Sequence, residues 1–137
     1  MSDGGELRGR RVLVVGGETP PGRALALALA EAGATVALAT LTNSTAADFA
    51  VNSALNELWA MNREGLALVI DASDGEQLRV SVERAERELG RFDVVAVLRA
   101  ESVAVEALGE ALPGREIVLL PADSAAAECV RLVMEKL

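Results

Sequence analysis

Short apolar runs alternate with helical periods along this chain. Val12-Leu13-Val14-Val15, Val36-Ala37-Leu38-Ala39, Leu66-Ala67-Leu68-Val69-Ile70, Val94-Val95-Ala96-Val97-Leu98 and Ile117-Val118-Leu119-Leu120 contain no polar position. Continuous apolar runs are the mark of strands buried on both faces of a sheet. The predicted strands are Arg11 to Val15, Thr35 to Ala39, Leu66 to Ile70, Phe92 to Leu98 and Glu116 to Leu120.

Between them, apolar positions recur three and four apart, as one buried helical face requires. A first helix is predicted from Pro21 to Ala32, stopped by Gly33. A long second helix runs from Ala46 to Arg63, after the candidate caps Thr42, Ser44 and Thr45, with Ala47, Val51, Ala54, Leu55, Leu58 and Met61 inward and Gly65 ending it. Asp74 caps a third helix that buries Leu78, Val82, Ala85 and Leu89 and stops at Gly90. A short fourth helix spans Val103 to Leu112 before Pro113-Gly114. Asp123 or Ser124 caps a last helix to Leu137, with Cys129, Val130, Val133, Met134 and Leu137 on its apolar side. Strands and helices in strict alternation predict an α/β fold: a five-stranded parallel sheet covered on both faces, in three α/β/α layers. The 137 residues show no repeat or linker and suit a single domain, 1–137.

Composition narrows the chemistry. Aromatics are 2% of the chain, so the core is aliphatic. No apolar stretch is long enough to span a membrane, and Met1 to Glu6 lack the start of a signal peptide, so a cytoplasmic location is expected. A net charge of −8 argues against nucleic acid and anionic membranes as partners. Arg8, Arg10 and Arg11 read as a solvated strand entrance. There is no His, no Tyr and a single Lys, Lys136, leaving carboxylates and Arg for acid–base work within the body of the fold. No metal site is expected: Asp71, Asp74 and Glu76 are close in sequence, but helix caps and solvated helix starts account for them. Cys129, the single cysteine, reads as a buried structural thiol. Trp59 stands on the second helix, either inside its buried stripe or beside it; only an exposed Trp would mark a contact surface.

The stretch "GGETPPGR", residues 16–23, links the first strand to the first helix, where a glycine-rich turn can hold a dinucleotide phosphate. Together, "LRGRRVLVVGGETPPGRALALALAEAGATVALAT" and "VIDASDGEQLRVSVERAERELGRFDVVAV" resemble the short-chain dehydrogenase/reductase family: its T-G-x-x-x-G-x-G turn, its D-V-T-D segment and its approach to the fourth strand, in order and at the family's spacing. The resemblance reaches residue 97 and then fades. It implies a Rossmann-like sheet of order 3-2-1-4-5 and, for complete members, NAD(P)-dependent redox chemistry.

Carried over position by position, Gly16 matches the motif's first glycine and Gly22 its last, while Pro20 replaces the middle one. That glycine lets backbone approach the pyrophosphate. Pro20 adds bulk there, and Pro21 has no N–H to give. Gly17, Glu18, Thr19, Gly22 and Arg23 retain amides, Glu18 adds negative charge, and the Arg23 side chain is a candidate to face a phosphate. An ordinary helix start, with Thr19 as cap and Pro21 in the first turn, explains the same residues. Thr40 and Leu41 stand where the family chooses between NAD and NADP, and neither is diagnostic. Asp71 matches an adenine contact, or is simply a strand-end polar residue. The candidate cofactor-binding set is therefore Gly16, Gly17, Thr19, Gly22, Arg23, Thr40 and Asp71.

The family's N-N-A-G falls on Val97-Leu98-Arg99-Ala100. Arg99 is left to meet an anion or to pair with Glu101. The family's catalytic Tyr-x-x-x-Lys has no counterpart, Ser124 is explained as a cap, and no catalytic residue is assigned. The expected function is a non-catalytic homo-oligomeric assembly or regulatory module with weak or lost NAD(P) binding. It would dimerise through the helices after strands four and five, or serve another protein partner. The alternative is an NAD(P)-dependent oxidoreductase, working through unfamiliar groups or completed by a partner chain.

Overall fold

A computed structural model describes residues 6–121 and 125–137. Five strands, β1 (Arg11–Val15), β2 (Thr35–Ala39), β3 (Gly65–Leu68), β4 (Val94–Leu98) and β5 (Glu116–Leu120), alternate with α1 (Pro20–Glu31), α2 (Thr45–Ala60), α3 (Gly75–Leu89), α4 (Val105–Ala111) and α5 (Ala126–Met134). All four strand pairings are parallel, and the order is β3-β2-β1-β4-β5, as expected. β1 lies in the centre, in register with β2 from Arg11 opposite Thr35 to Val15 opposite Ala39.

Side chains alternate across the sheet and sort the core into two layers. Val12, Val14, Val36, Leu38, Val94 and Ala96 face α1, α2 and α5, where Cys129 and Val133 are buried. Leu13, Val15, Ala37, Val95 and Val97 face α3 and α4, represented by Leu78, Val82 and Leu108. Burying a Val or Leu side chain contributes about 1.5–3 kcal/mol, and these layers hold the fold together. One ion pair adds a tie from α3 to the start of β5: Glu86 meets Arg115 at 2.9 Å, both side chains largely buried, and Glu86 also accepts from the Phe92 amide. No described helix is long and apolar enough to cross a membrane.

Several boundaries differ from those the sequence predicts. α1 starts one residue early, with Pro20 at its first position behind the Thr19 cap. α2 ends at Ala60, and Gly65 is not its stop. Asn62 takes the left-handed conformation at φ 60°, and Arg63 N–H donates to Leu58 O, closing the end as a glycine would. β3 stops at Leu68 because the N–H and C=O of Ile70 both go to the Thr40 hydroxyl instead of to a strand. β4 begins at Val94, since the Phe92 amide is taken by Glu86. The fourth helix is split: a single 3₁₀ turn, Ala100–Ser102, precedes α4. α5 ends at Met134, and the Asp123 and Ser124 caps lie outside the described residues.

Candidate functional site

The glycine turn joins β1 to α1 at the carboxyl edge of the sheet, where ligands bind in open α/β folds. Its inner wall is packed against the fold. Gly16 sits at φ +102°, and a Cβ there would lie 2.7 Å from Leu98 Cβ. A Cβ on Gly22 would lie 2.1 Å from Gly16 O. These two glycines let the first turn of α1 press onto the end of β1.

The turn's hydrogen-bond donors are spent internally. Gly16 N–H and Gly17 N–H both donate to Ala39 O, at 2.8 and 3.0 Å. Thr19 N–H donates to Gly16 O and Arg23 N–H to Thr19 O. The Thr19 hydroxyl donates to Gly16 O at 2.7 Å and accepts from Gly22 N–H at 3.1 Å. Pro20 and Pro21 bring no N–H to the first two helical positions. Among the described residues, Glu18 N–H is the one amide of the turn left without a protein acceptor. A helix N-terminus binds phosphate by aiming several open amides at it, and these residues fit a dinucleotide pyrophosphate poorly.

The remaining candidates are dispersed. Arg23 does not face a phosphate position: its guanidinium pairs with Glu57 and reaches the Ser53 hydroxyl at 3.4 Å, both on α2. Thr40 is wholly buried, and its hydroxyl donates to Ile70 O and accepts from Ile70 N–H, each at 2.8 Å. That hydroxyl's one proton goes to Ile70 O, and its side chain has no exposed surface to offer a ribose. Asp71 remains at the rim beyond β3. Its Oδ1 accepts from the Ser73 hydroxyl at 2.5 Å and from the Ser73 amide at 3.0 Å. The Ser73 hydroxyl, then the Ser73 amide, hold the Asp71 carboxyl below the usual aspartate range. Its other oxygen remains open to solvent or a ligand. Arg99 adopts the left-handed conformation at φ 56° just after β4 and lies 3.9 Å from Glu101. Among the described residues no three His, Cys, Asp or Glu side chains gather as a metal site.

Sequence reading missed one contact. Glu18 does not simply add charge to the turn; its Oε2 accepts from Leu41 N–H at 2.8 Å, at the end of β2. The signal available was an acid in a glycine turn whose two neighbouring strands must end side by side. On α2, Trp59 is 55% exposed and Phe49 78% exposed. Trp59 is thus beside the buried stripe and not inside it.

Comparison with known proteins places these residues in context. The family model for short chain dehydrogenases matches residues 10–110, so the likeness runs through most of α4 and past the point where sequence reading loses it. A curated relative, the uncharacterized oxidoreductase YhxD of Bacillus subtilis, is 34% identical over 82% of this chain and 36% of its own length. A short-chain type dehydrogenase/reductase from Mycobacterium marinum is 31% identical at TM-score 0.59, over 66% of this chain and 35% of that one. NAD+-bound xylitol dehydrogenase is 26% identical at TM-score 0.60, over 66% and 33%. The chain therefore spans about a third of the length of these three proteins.

Proposed function

The chain belongs to the short-chain dehydrogenase family, and from that premise we propose that it is a non-catalytic member, a homo-oligomeric assembly or regulatory module in which NAD(P) binding is weak or lost. One observation carries the reading: the phosphate-holding turn keeps the glycines that pack it and has closed or removed the donors that would grip a ligand. Each hydrogen bond to a charged group contributes about 1.5–3 kcal/mol, so losing two donors to Pro20 and Pro21 removes much of a pyrophosphate's hold.

Calorimetric titration with NAD(H) and NADP(H) tests this. Dissociation constants in the millimolar range or absent heats are expected; micromolar binding with hydride transfer to a carbonyl panel would overturn it. A second reading, an NAD(P)-dependent oxidoreductase completed by a partner chain, draws support from the likeness to proteins named as oxidoreductases and from the open carboxylate oxygen of Asp71. Hydride transfer that appears only when a second chain is added distinguishes it.

The assembly part of the proposal rests on β5. It is an edge strand, and Leu119 on it is 52% exposed. Edge strands with unpaired backbone groups invite pairing. The helices on either side of β5 in sequence pack on opposite faces of the sheet, α4 beside α3 and α5 beside α1. A second copy meeting both must straddle the β5 edge. Light scattering at micromolar concentration is expected to give twice the 14.3 kDa chain mass; a monomer there would count against the dimer.

A further inference from the structure

We propose that the outer face of α2 joins two copies of this chain through an antiparallel α2–α2 contact centred on the level of Ala54. Besides the stripe that packs on the sheet, α2 carries a second one. Thr45, Phe49, Asn52, Asn56 and Trp59 follow one another at intervals of four, three, four and three residues, and all five are exposed. That is the a/d spacing of a helix that seats on another helix. A face meant for water alone is polar throughout, whereas this one has an aromatic towards each end. Ser53 and Glu57, which hold Arg23 of α1, lie on the flank of the stripe, so α1 leaves it uncovered.

The order of these residues selects a second copy as the occupant. Phe49 and Trp59 lie five positions either side of Ala54, and Asn52 and Asn56 lie two positions either side. A two-fold axis at the level of Ala54 sets each of them against its mirror position, the self-complementarity that a symmetric interface requires. Phe49 meets Trp59 of the second copy twice over, and such aromatic pairs contribute beyond the area they bury. A groove of about 480 Å³ runs past Phe49 between Thr45, Asp48, Asn52, Ser53 and Asn56, and it takes the indole of the second copy. Asn52 Nδ2 donates to Asp48 Oδ1 at 2.6 Å and to Asp48 O at 3.0 Å, which leaves the Asn52 side-chain oxygen open. The Asn56 side chain has no partner among the described residues, and across the axis its amide donates to that oxygen. A polar pair inside a helix seam fixes its register. Charge favours the same direction. Parallel helices would bring the two Asp48 carboxylates to one level, whereas antiparallel ones hold them about 18 Å apart along the axis, beyond the ~8 Å screening length at physiological salt. α2 packs beside α1 and β3, at the end of the sheet away from β5, so this contact is separate from the β5 edge. A 16-residue helix from each copy buries less than the about 1,200 Å² of a standard interface, so the contact is weak and forms at high concentration.

The test follows light scattering of the intact chain from micromolar to near-millimolar concentration. The mass at the top of that range is expected to be at least twice the micromolar mass, whatever the latter is. Leu119→Glu, which spoils the β5 edge, is expected to leave this step in place, so failure of the β5 dimer and failure of the α2 contact read differently. Phe49→Glu, at an exposed position, is expected to weaken the step at least about tenfold and to leave the micromolar mass unchanged. Thermal unfolding checks that it folds, and Phe49→Ser replaces it if it does not. The register is read with Phe49→p-benzoylphenylalanine, irradiated at high concentration and mapped by mass spectrometry; the cross-link is expected to reach the Trp59 segment of a second copy. A mass that does not rise with concentration overturns the proposal, as it must if a different protein covers this face. An unweakened step in a folded Phe49 variant overturns it too. So does a cross-link from position 49 to position 49, to another surface, or to a segment of its own chain.

Discussion

The glycine turn has an inner wall and an outer rim, and the two have had different fates. On the wall, Gly16 and Gly22 remain where any side chain would collide with Leu98 or with the Gly16 carbonyl. On the rim, where a ligand would arrive, stand Glu18, Pro20 and Pro21, which offer a negative charge and no amides beyond that of Glu18 itself. The wall is held in place by packing that the fold needs with or without a ligand. The rim has no such obligation, and a proline or an acid there costs the fold little. Family likeness in a phosphate motif therefore divides into a part that reports architecture and a part that reports binding.

The sharpest way to break this division is on the wall. Gly22→Ala places a methyl 2.1 Å from Gly16 O, and overpacking of that kind costs about 3 kcal/mol; chemical denaturation should show a loss of that order. On the rim, the double change Pro20→Gly with Pro21→Ile restores two amides. Nucleotide affinity should rise at least about tenfold, measured calorimetrically, while stability falls by only about 1 kcal/mol from the extra freedom of the unfolded chain. Thr19→Ala removes the α1 cap and the bond that closes Gly22 N–H. A cap of this type contributes about 1 kcal/mol, and nucleotide binding should not improve. The smallest effect concerns Asp71, whose native titration lies below the ordinary aspartate value of about 3.9. A depressed native value stabilises above the unfolded value and is lost as pH falls through the native one. The stability difference between wild type and Asp71→Asn should thus be present at neutral pH and vanish on acidification below that range.

The sheet was legible because burial on both faces leaves runs with no polar position, and five such runs allow few topologies. The two cores followed from the same alternation. What the sequence hid were side chains that join distant segments. Thr40 reads as a polar residue at a strand end, yet it replaces a backbone rung for Ile70. Arg23 reads as a phosphate ligand because it follows the motif, yet the length of α2 brings Glu57 beside it. Asn62 ends α2 in a conformation usually given to glycine, so the stop falls short of Gly65. Glu18 escaped for the same reason: its partner is a backbone amide 23 positions away, which no local pattern announces.

Trp59 is the chain's sole tryptophan, there is no tyrosine, and the indole lies open to water on α2. The interior is consequently almost dark to ultraviolet light. Emission from the native protein should already resemble that of the denatured one, so fluorescence is a poor gauge of unfolding here. It is a good gauge of occupancy: whatever comes to rest on the outer face of α2 dries the single fluorophore and moves its spectrum toward the blue.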